Sequence, residues 1–184
     1  MKFNKHYSTA GMHAPLSPSN PYWINYDEAR LDEWMITRKA AERGTRLHEF
    51  AAEAIELGIR LPDNEQTLNM YVNDAIGYRM VPEQMLFYSA NCFGTADAIQ
   101  LSGDILRIHD LKTGVKPANE LQLYIYAALF CLEYKYKPVE LRYELRIYQN
   151  GEVRLYEPTH DDIAHIMDRI VTQDRLIEEF SSEI

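Results

Sequence analysis

Cysteine is nearly missing from this chain of 184 residues: Cys92 and Cys131 are the only two. Two thiols cannot furnish a disulfide framework, a four-cysteine zinc site or a four-cysteine iron–sulfur cluster, and they read as small buried hydrophobes in a reducing cytoplasm. Long apolar runs are lacking as well. The longest, residues 123–132, is bounded by Gln122 and Glu133 and is about half of the roughly 20 residues that a membrane helix needs. No bilayer span is expected. The opening residues Met1-Lys-Phe-Asn-Lys-His-Tyr7 have no apolar stretch of the kind that makes a secretory signal, so a cytoplasmic protein is expected.

Positive charge is scarce too, with 19 Lys and Arg against 28 Asp and Glu and a net charge of -9. That balance disfavours nonspecific adhesion to nucleic acid or to an anionic membrane. It does not exclude a nucleic-acid enzyme, because carboxylates repel phosphate only until they hold a divalent cation, and basic residues can be local. What is present is an ordinary core: 46% hydrophobic residues, 11% aromatic and 26% charged, in a length that suits one domain.

Residues 1–26 are polar and proline-rich (Pro15, Pro18, Pro21), with Tyr7, Tyr22, Trp23 and Tyr26 interspersed, and read as an irregular arm packed by its aromatics. Residues 27–184 read as a single domain. Within it, 27–57 is helical in composition but interrupted by Gly44, giving one broken helix or two, with Gly58 as a C-terminal cap. Asp63-Asn-Glu-Gln66 has the spacing of a capping box for a helix reaching Ile76, before Gly77. Residues 84–88, 94–101 and 105–111 are rich in β-formers, and Ser102-Gly103-Asp104 signals a hairpin, so a three-stranded meander is predicted. Residues 119–134 are apolar nearly all round, the mark of a helix covered on more than one side. Over 139–148, Val139, Leu141, Tyr143, Leu145 and Ile147 alternate with polar residues, and Asn150-Gly151 turns into 153–156, a second hairpin with one buried face. Thr159 and Asp162 open a last amphipathic helix with Ile163, Ile166, Ile170 and Ile177 inward.

Placed on these elements, a few polar residues converge. On a strand, residues two apart share a face, so Asp110 and Lys112 project together while Leu111 points the other way. Asp97 lies on the preceding strand, and pairing about Gly103 brings it near Asp110. Two carboxylates there can share one hard cation, Mg2+ or Mn2+, and a neighbouring lysine can polarise the attacking water. His48 lines up with Ala51, Ala52 and Ile55 at the edge of an apolar helix face and looks inward. Taken singly, an inward histidine is more often structural and a D-x-K more often a surface ion pair. Their ordered combination is the stronger signal.

That combination resembles the PD-(D/E)XK nuclease superfamily in its RecB-like branch, which includes CRISPR adaptation exonucleases and phage and bacterial recombination nucleases. The resemblance runs through Gly44-Thr45-Arg-Leu-His48-Glu49, Gly94-Thr95-Ala-Asp97, Asp110-Leu-Lys112-Thr113-Gly114 and Gln122-Leu-Tyr-Ile-Tyr126, with Leu16-Ser-Pro-Ser19 and Trp23 upstream. It implies an α/β restriction-endonuclease-like core, a mixed central β-sheet flanked by helices. It implies that His48, Asp97, Asp110 and the backbone carbonyl of Leu111 bind Mg2+ or Mn2+, and that Lys112 assists the water. Gln122 and Tyr126 match the family's QxxxY motif, beside the site and in contact with DNA or the lysine. Ala96 stands where many relatives have proline before the first acid, as is usual in the RecB-like branch. The cysteines that hold an iron–sulfur cluster in some relatives are absent, so none is expected.

Other residues have two readings each. Glu83, before the first strand, matches an acid that some relatives use, though a strand-edge glutamate is usually solvated. Lys39, Arg43 and Arg46 recur at helical spacing ahead of His48, with Arg38 adjacent, as a row for DNA or as a solvated face. Tyr134-Lys-Tyr-Lys137 has the composition of a stacking platform but also ends a helix, where cations favour the dipole. The leading expectation is a metal-dependent deoxyribonuclease of phage or bacterial recombination, repair or DNA degradation, in the bacterial cytoplasm, with DNA and a recombination or repair protein as partners. A noncatalytic DNA-binding or nuclease-binding relative, and a structural phage or host-interaction protein with a stabilising ion, are the alternatives. No base-reading module fits in the remaining chain, and a small cationic grip suits a strand end, so an exonuclease of low sequence specificity is expected, against a structure-specific or partner-directed endonuclease.

Overall fold

The computed structural model describes residues 14–19 and 21–182. Tyr7, with the rest of the first 13 residues of the expected arm, lies outside the described residues, as do the last two residues of the chain. The chain divides into two compact units at Glu42 and Arg43, inside its first helix, whereas the expected arm ends at residue 26. In the first unit, Pro21–Asn25 is a 3-10 turn, the Trp23 indole N–H donates to the Ser17 carbonyl at 2.9 Å, and the Arg30 guanidinium lies 4.9 Å from the centre of the Tyr26 ring. Asp27 then caps α1 (Glu28–Glu56) by accepting the Arg30 N–H at 2.9 Å.

The expected interruption at Gly44 does not occur. α1 runs through it, and the glycine serves closeness: a Cβ there would lie 2.8 Å from Thr113 Oγ1. The helix ends where Gly58 takes φ +66°, with its N–H on the Ile55 carbonyl and the Ile59 N–H on that of Ala54. This paired closure is the glycine cap that the sequence signals. α2 (Thr67–Tyr78) departs from expectation at both ends. Asp63 and Gln66 form no capping box, because Asn64 Oδ1 takes the Gln66 N–H and an Asn69 amide hydrogen instead. Gly77 stays helical, and the stop is Arg79 in the left-handed region at φ 56°.

The described residues then build a five-stranded sheet in the order β1 (Val81–Ser89), β2 (Cys92–Ser102), β3 (Ile105–Leu111), β4 (Arg142–Gln149), β5 (Glu152–Tyr156). β1, β2 and β3 form the expected antiparallel meander, with Gly103 at φ +60° in the tight turn. β3 and β4 are parallel, joined across α3 (Leu121–Tyr134), and β5 returns antiparallel through Asn150 (φ 53°) and Gly151 (φ 76°), as Asn-Gly turns do. Val139 and Glu140 belong to a 3-10 turn, Pro138–Glu140, so β4 starts later than the alternation predicts.

Two apolar layers enclose the sheet. On one face Leu106, Ile108, Leu145 and Ile147 pack on Leu123, Ala127 and Leu129 of α3, and α4 (His160–Ser182) covers α3 from outside. α3 is therefore apolar all round, as expected. On the other face Ala51, Ala54 and Ile55 of α1 and Tyr71, Val72 and Ala75 of α2 pack on Ala98, Leu111 and Tyr148. Tyr148 and Gln149 are buried at 0 and 4% exposure, so β4 is covered on both faces at its C-terminal end and not on one. α4 opens with the Thr159–Asp162 box and buries Ile163, but Ile177 is 45% exposed because the helix outruns the core it covers. The architecture is an α/β fold with a mixed sheet flanked by helices. Among the described residues no helix is long and apolar enough to cross a membrane.

Candidate functional site

The site grows from a fault in strand alternation. Ala96 and Ala98 are two apart and on a regular strand would share a face, yet Ala96 packs with the α3 cluster and Ala98 with the α1–α2 cluster. The alternation slips at Asp97. A similar change of face runs from Met80, just before β1, which packs with α1 and α2, to Leu86 on β1, which packs with α3, and between them Glu83 stands at φ 48°. Pro82 pairs with Ala98 and Gln84 with Ala96, so Glu83 lies opposite Asp97 at the shared irregularity. On the other side of β2, pairing with β3 ends at Ala98 and His109, one step short of Asp97 and Asp110. Three acids thus form a row across three neighbouring strands where the ladder gives way.

His48 reaches this row from α1. Its Nδ1 is 3.5 Å from Asp97 Oδ1, and ligand atoms of His48, Glu83 and Asp97 all lie within 4.8 Å of one another. Asp97 Oδ2 accepts the Leu111 N–H at 2.8 Å, replacing the missing ladder bond and fixing the carboxylate. Asp110 is 3% exposed; Lys112 Nζ holds its Oδ1 at 3.0 Å, and its Oδ2 is buried without a hydrogen-bond partner. Lys112 Nζ also donates to Gln122 Oε1 at 2.7 Å, and Gln122 Nε2 donates to the Tyr126 hydroxyl at 3.3 Å. The Tyr126 ring lies against Gly94, where a Cβ would sit 3.1 Å from Cε1. Gly44 and Gly94, the glycines of the two Gly-Thr motifs, are thus contact surfaces for Thr113 and Tyr126.

The electrostatics describe a site rich in acid and short of cations. Burial raises the Asp110 carboxyl above its ordinary range, and Asp97 adds to that, while Lys112 pulls it back. Burial and then Asp97 raise Glu83 as well. His48 is raised chiefly by its hydrogen bond to Asp97, with Glu83 and Asp110 contributing and burial opposing. All three groups hold protons more tightly than usual, the two carboxyls chiefly through burial and the imidazole chiefly through its hydrogen bond to Asp97, with the neighbouring negative charge adding to each. A divalent cation among one imidazole nitrogen and carboxylate oxygens would relieve this, and the orphaned Asp110 oxygen is a ligand atom with no other use.

The structure thus brings together His48, Asp97, Asp110, Leu111, Lys112, Gln122 and Tyr126. It adds Glu83 to the compact set of side chains that could hold a cation, whereas Asp110 stands beside that set. The signal for Glu83 in the sequence is its place just before the expected first strand; its position opposite Asp97 comes from the irregularity that the two strands share. Leu111 turns its side chain into the α1–α2 layer, opposite Lys112, as the strand period predicts. Of the basic row, Arg43 and Arg46 are exposed on the second unit, and Lys39 belongs to the first. Below His48 a cavity of about 450 Å³ is walled by Glu49, Glu53, Glu56 and Glu83. Comparison with family models finds no match to the chain, and comparison with curated proteins finds none either.

Proposed function

We propose that the protein is a divalent-metal-dependent nuclease that hydrolyses DNA phosphodiester bonds, a member of the RecB-like branch of the PD-(D/E)XK superfamily. The observation that carries this reading is Asp110, buried at the end of β3 with one oxygen on Lys112 and the other unpartnered beside His48, Glu83 and Asp97. Bound by His48, Glu83, Asp97, Asp110 and the Leu111 carbonyl, Mg2+ or Mn2+ would lower the pKa of a ligated water and neutralise phosphate charge. The chain's own residues do the remaining work. Asp97 is locked by the Leu111 N–H, so one ligand is oriented before any cation arrives. Lys112 is held between Asp110 and Gln122 with its side chain 28% exposed, at the mouth of the site, where an ammonium stabilises charge developing on the phosphate. Tyr126 accepts from Gln122, which leaves its own hydroxyl proton for a substrate oxygen.

We assign it as an exonuclease of low sequence specificity acting in the cytoplasm, beside a recombination or repair partner. The supporting argument is the scarcity of cations: Lys112 at the site and the exposed Arg43 and Arg46 of α1 are a narrow grip for a chain of net charge -9. The test offers end-labelled linear and covalently closed circular DNA with Mg2+, Mn2+ or Ca2+. Degradation of linear DNA with Mg2+ or Mn2+, and none with Ca2+ or chelator, is expected. No cleavage under any metal overturns the nuclease, and equal rates on circular and linear DNA overturn the exonuclease alone.

A further inference from the structure

The β1–β2 hairpin carries large apolar side chains that the fold leaves open. Met85, Phe87 and Phe93 are 52, 47 and 56% exposed. Phe87 and Phe93 are directly paired across the ladder, and their rings stack with centroids 6.1 Å apart and planes at 27°. Single exposed hydrophobes need no explanation, but a stacked pair beside a third makes a patch. The patch continues the site. Phe93 lies four residues along β2 from Asp97, and Phe87 four along β1 from Glu83, about 13 Å at the rise of a strand. Phe93 also borders a groove of about 330 Å³ that reaches Gln122 and Tyr126.

The edge of the sheet indicates what does not cover this patch. β1 is an edge strand, yet Pro82 offers no N–H, Glu83 bends the backbone at φ 48°, and Glu133 Oε2 already accepts the Phe87 N–H at 2.8 Å. These devices blunt an edge against addition of another strand. A π face needs no backbone partner. Nucleobases bring such faces, and only unpaired ones expose them, since the bases of a duplex are stacked on one another.

We infer that Phe87 and Phe93 form a base-stacking platform for single-stranded DNA, holding bases about two nucleotides from the phosphate at the metal site. The inference rests on the nuclease reading of that site and names its substrate as a single strand. It is tested by fluorescence anisotropy with a labelled oligothymidylate in Ca2+, which requires no turnover. The double substitution Phe87→Ala and Phe93→Ala weakens binding at least about tenfold, and Phe87→Trp with Phe93→Trp restores it. Abasic positions two and three nucleotides from the bound end weaken binding to the wild type but have no further effect on the alanine variant. Binding of blunt duplex is the same for both proteins. Unchanged single-strand affinity in the alanine variant overturns the platform, as does no measurable binding by the wild type. Conversion of a dimer to a monomer in sedimentation, with single-strand affinity unchanged, assigns the patch to a second copy instead. Cleavage is scored separately: a wild type that binds through the rings but cuts nothing in Mg2+ or Mn2+ removes the nuclease reading and leaves the platform standing.

Discussion

His109, next to Asp110 but turned to the opposite face, should make the protein lose stability in mild acid. The residue has 0% exposure, and its Nδ1 lies 3.2 Å from the Tyr148 hydroxyl. That hydroxyl spends its proton on Asp74 Oδ2 at 2.6 Å, so Nδ1 must be the donor in the pair, which leaves Nε2 bare, buried and without a partner. A second proton would meet no acceptor there. Burial first, then Arg146 and Arg107, depress its pKa from 6.5 to about 3. In the unfolded chain the imidazole titrates normally, so below pH 6.5 the unfolded state binds a proton that the folded state refuses until about pH 3. The stability is fully present above pH 6.5 and is lost as pH falls toward 3. By linkage the loss from this one residue is about 2 kcal/mol between pH 8 and pH 5. Replacing His109 by Gln removes the titration. Urea unfolding of both proteins, with chelator, at steps from pH 8 to pH 5 reads the effect: wild type is the more stable at pH 8, and the gap narrows by about 2 kcal/mol by pH 5. A gap that does not change with pH would refute the assignment of a neutral buried ring.

Substitutions at the site and at the helix contact beside it have separate expected outcomes. Asp110→Asn should abolish the rise in melting temperature on adding Mn2+ yet leave the metal-free protein as stable or more so, because it removes a buried charge beside Asp97; Lys112→Ala should keep the Mn2+ shift and lose cleavage by about 100-fold or more. Glu83→Gln should weaken Mn2+ binding in calorimetry at least about tenfold, whereas a merely solvated glutamate would leave it unchanged. Gly44→Ala, which in an open helix would gain about 1 kcal/mol, should lose about 1–3 kcal/mol in thermal or urea unfolding against Thr113 Oγ1, and Thr113→Ala should restore the gain, since the remaining Cβ is 3.9 Å away.

The sequence disclosed most where local pattern and tertiary demand agree. β3 begins and ends where its β-formers do, the Asn-Gly and Gly-Asp turns close the hairpins they signal, and α3 shows in its all-round apolarity that it lies under a further helix. Asp110 and Lys112 were legible because strand period two fixes their directions relative to one another, whereas Gln122 and Tyr126 were pointed to only by the resemblance to a family motif. What escaped was set by contacts between distant segments. Gly44 looks like a breaker until Thr113 is seen against it, and the Asp63–Gln66 spacing is overruled by Asn64, which reaches Gln66 and Asn69. Glu83 was legible only as an outside candidate beside the expected ligands. Its place opposite Asp97 depends on irregularities in both strands, and period-two reasoning has no way to place a residue where the period fails. Ile177 follows the helical stripe faithfully, but the stripe does not say where the opposing layer ends.

The row of Glu83, Asp97 and Asp110 with His48 is proposed to hold a cation used for phosphodiester hydrolysis. The most direct measurement is cleavage of end-labelled linear single-stranded DNA by wild type and Asp110→Asn, titrated with Mn2+ while melting temperature is followed in the same buffers. Cleavage and stabilisation of the wild type should rise together with Mn2+ occupancy, chelator should reverse both, and the variant should show neither. A wild type that gains no stability and cuts no DNA at saturating Mn2+ would contradict the proposal, as would cleavage by Asp110→Asn at the wild-type rate.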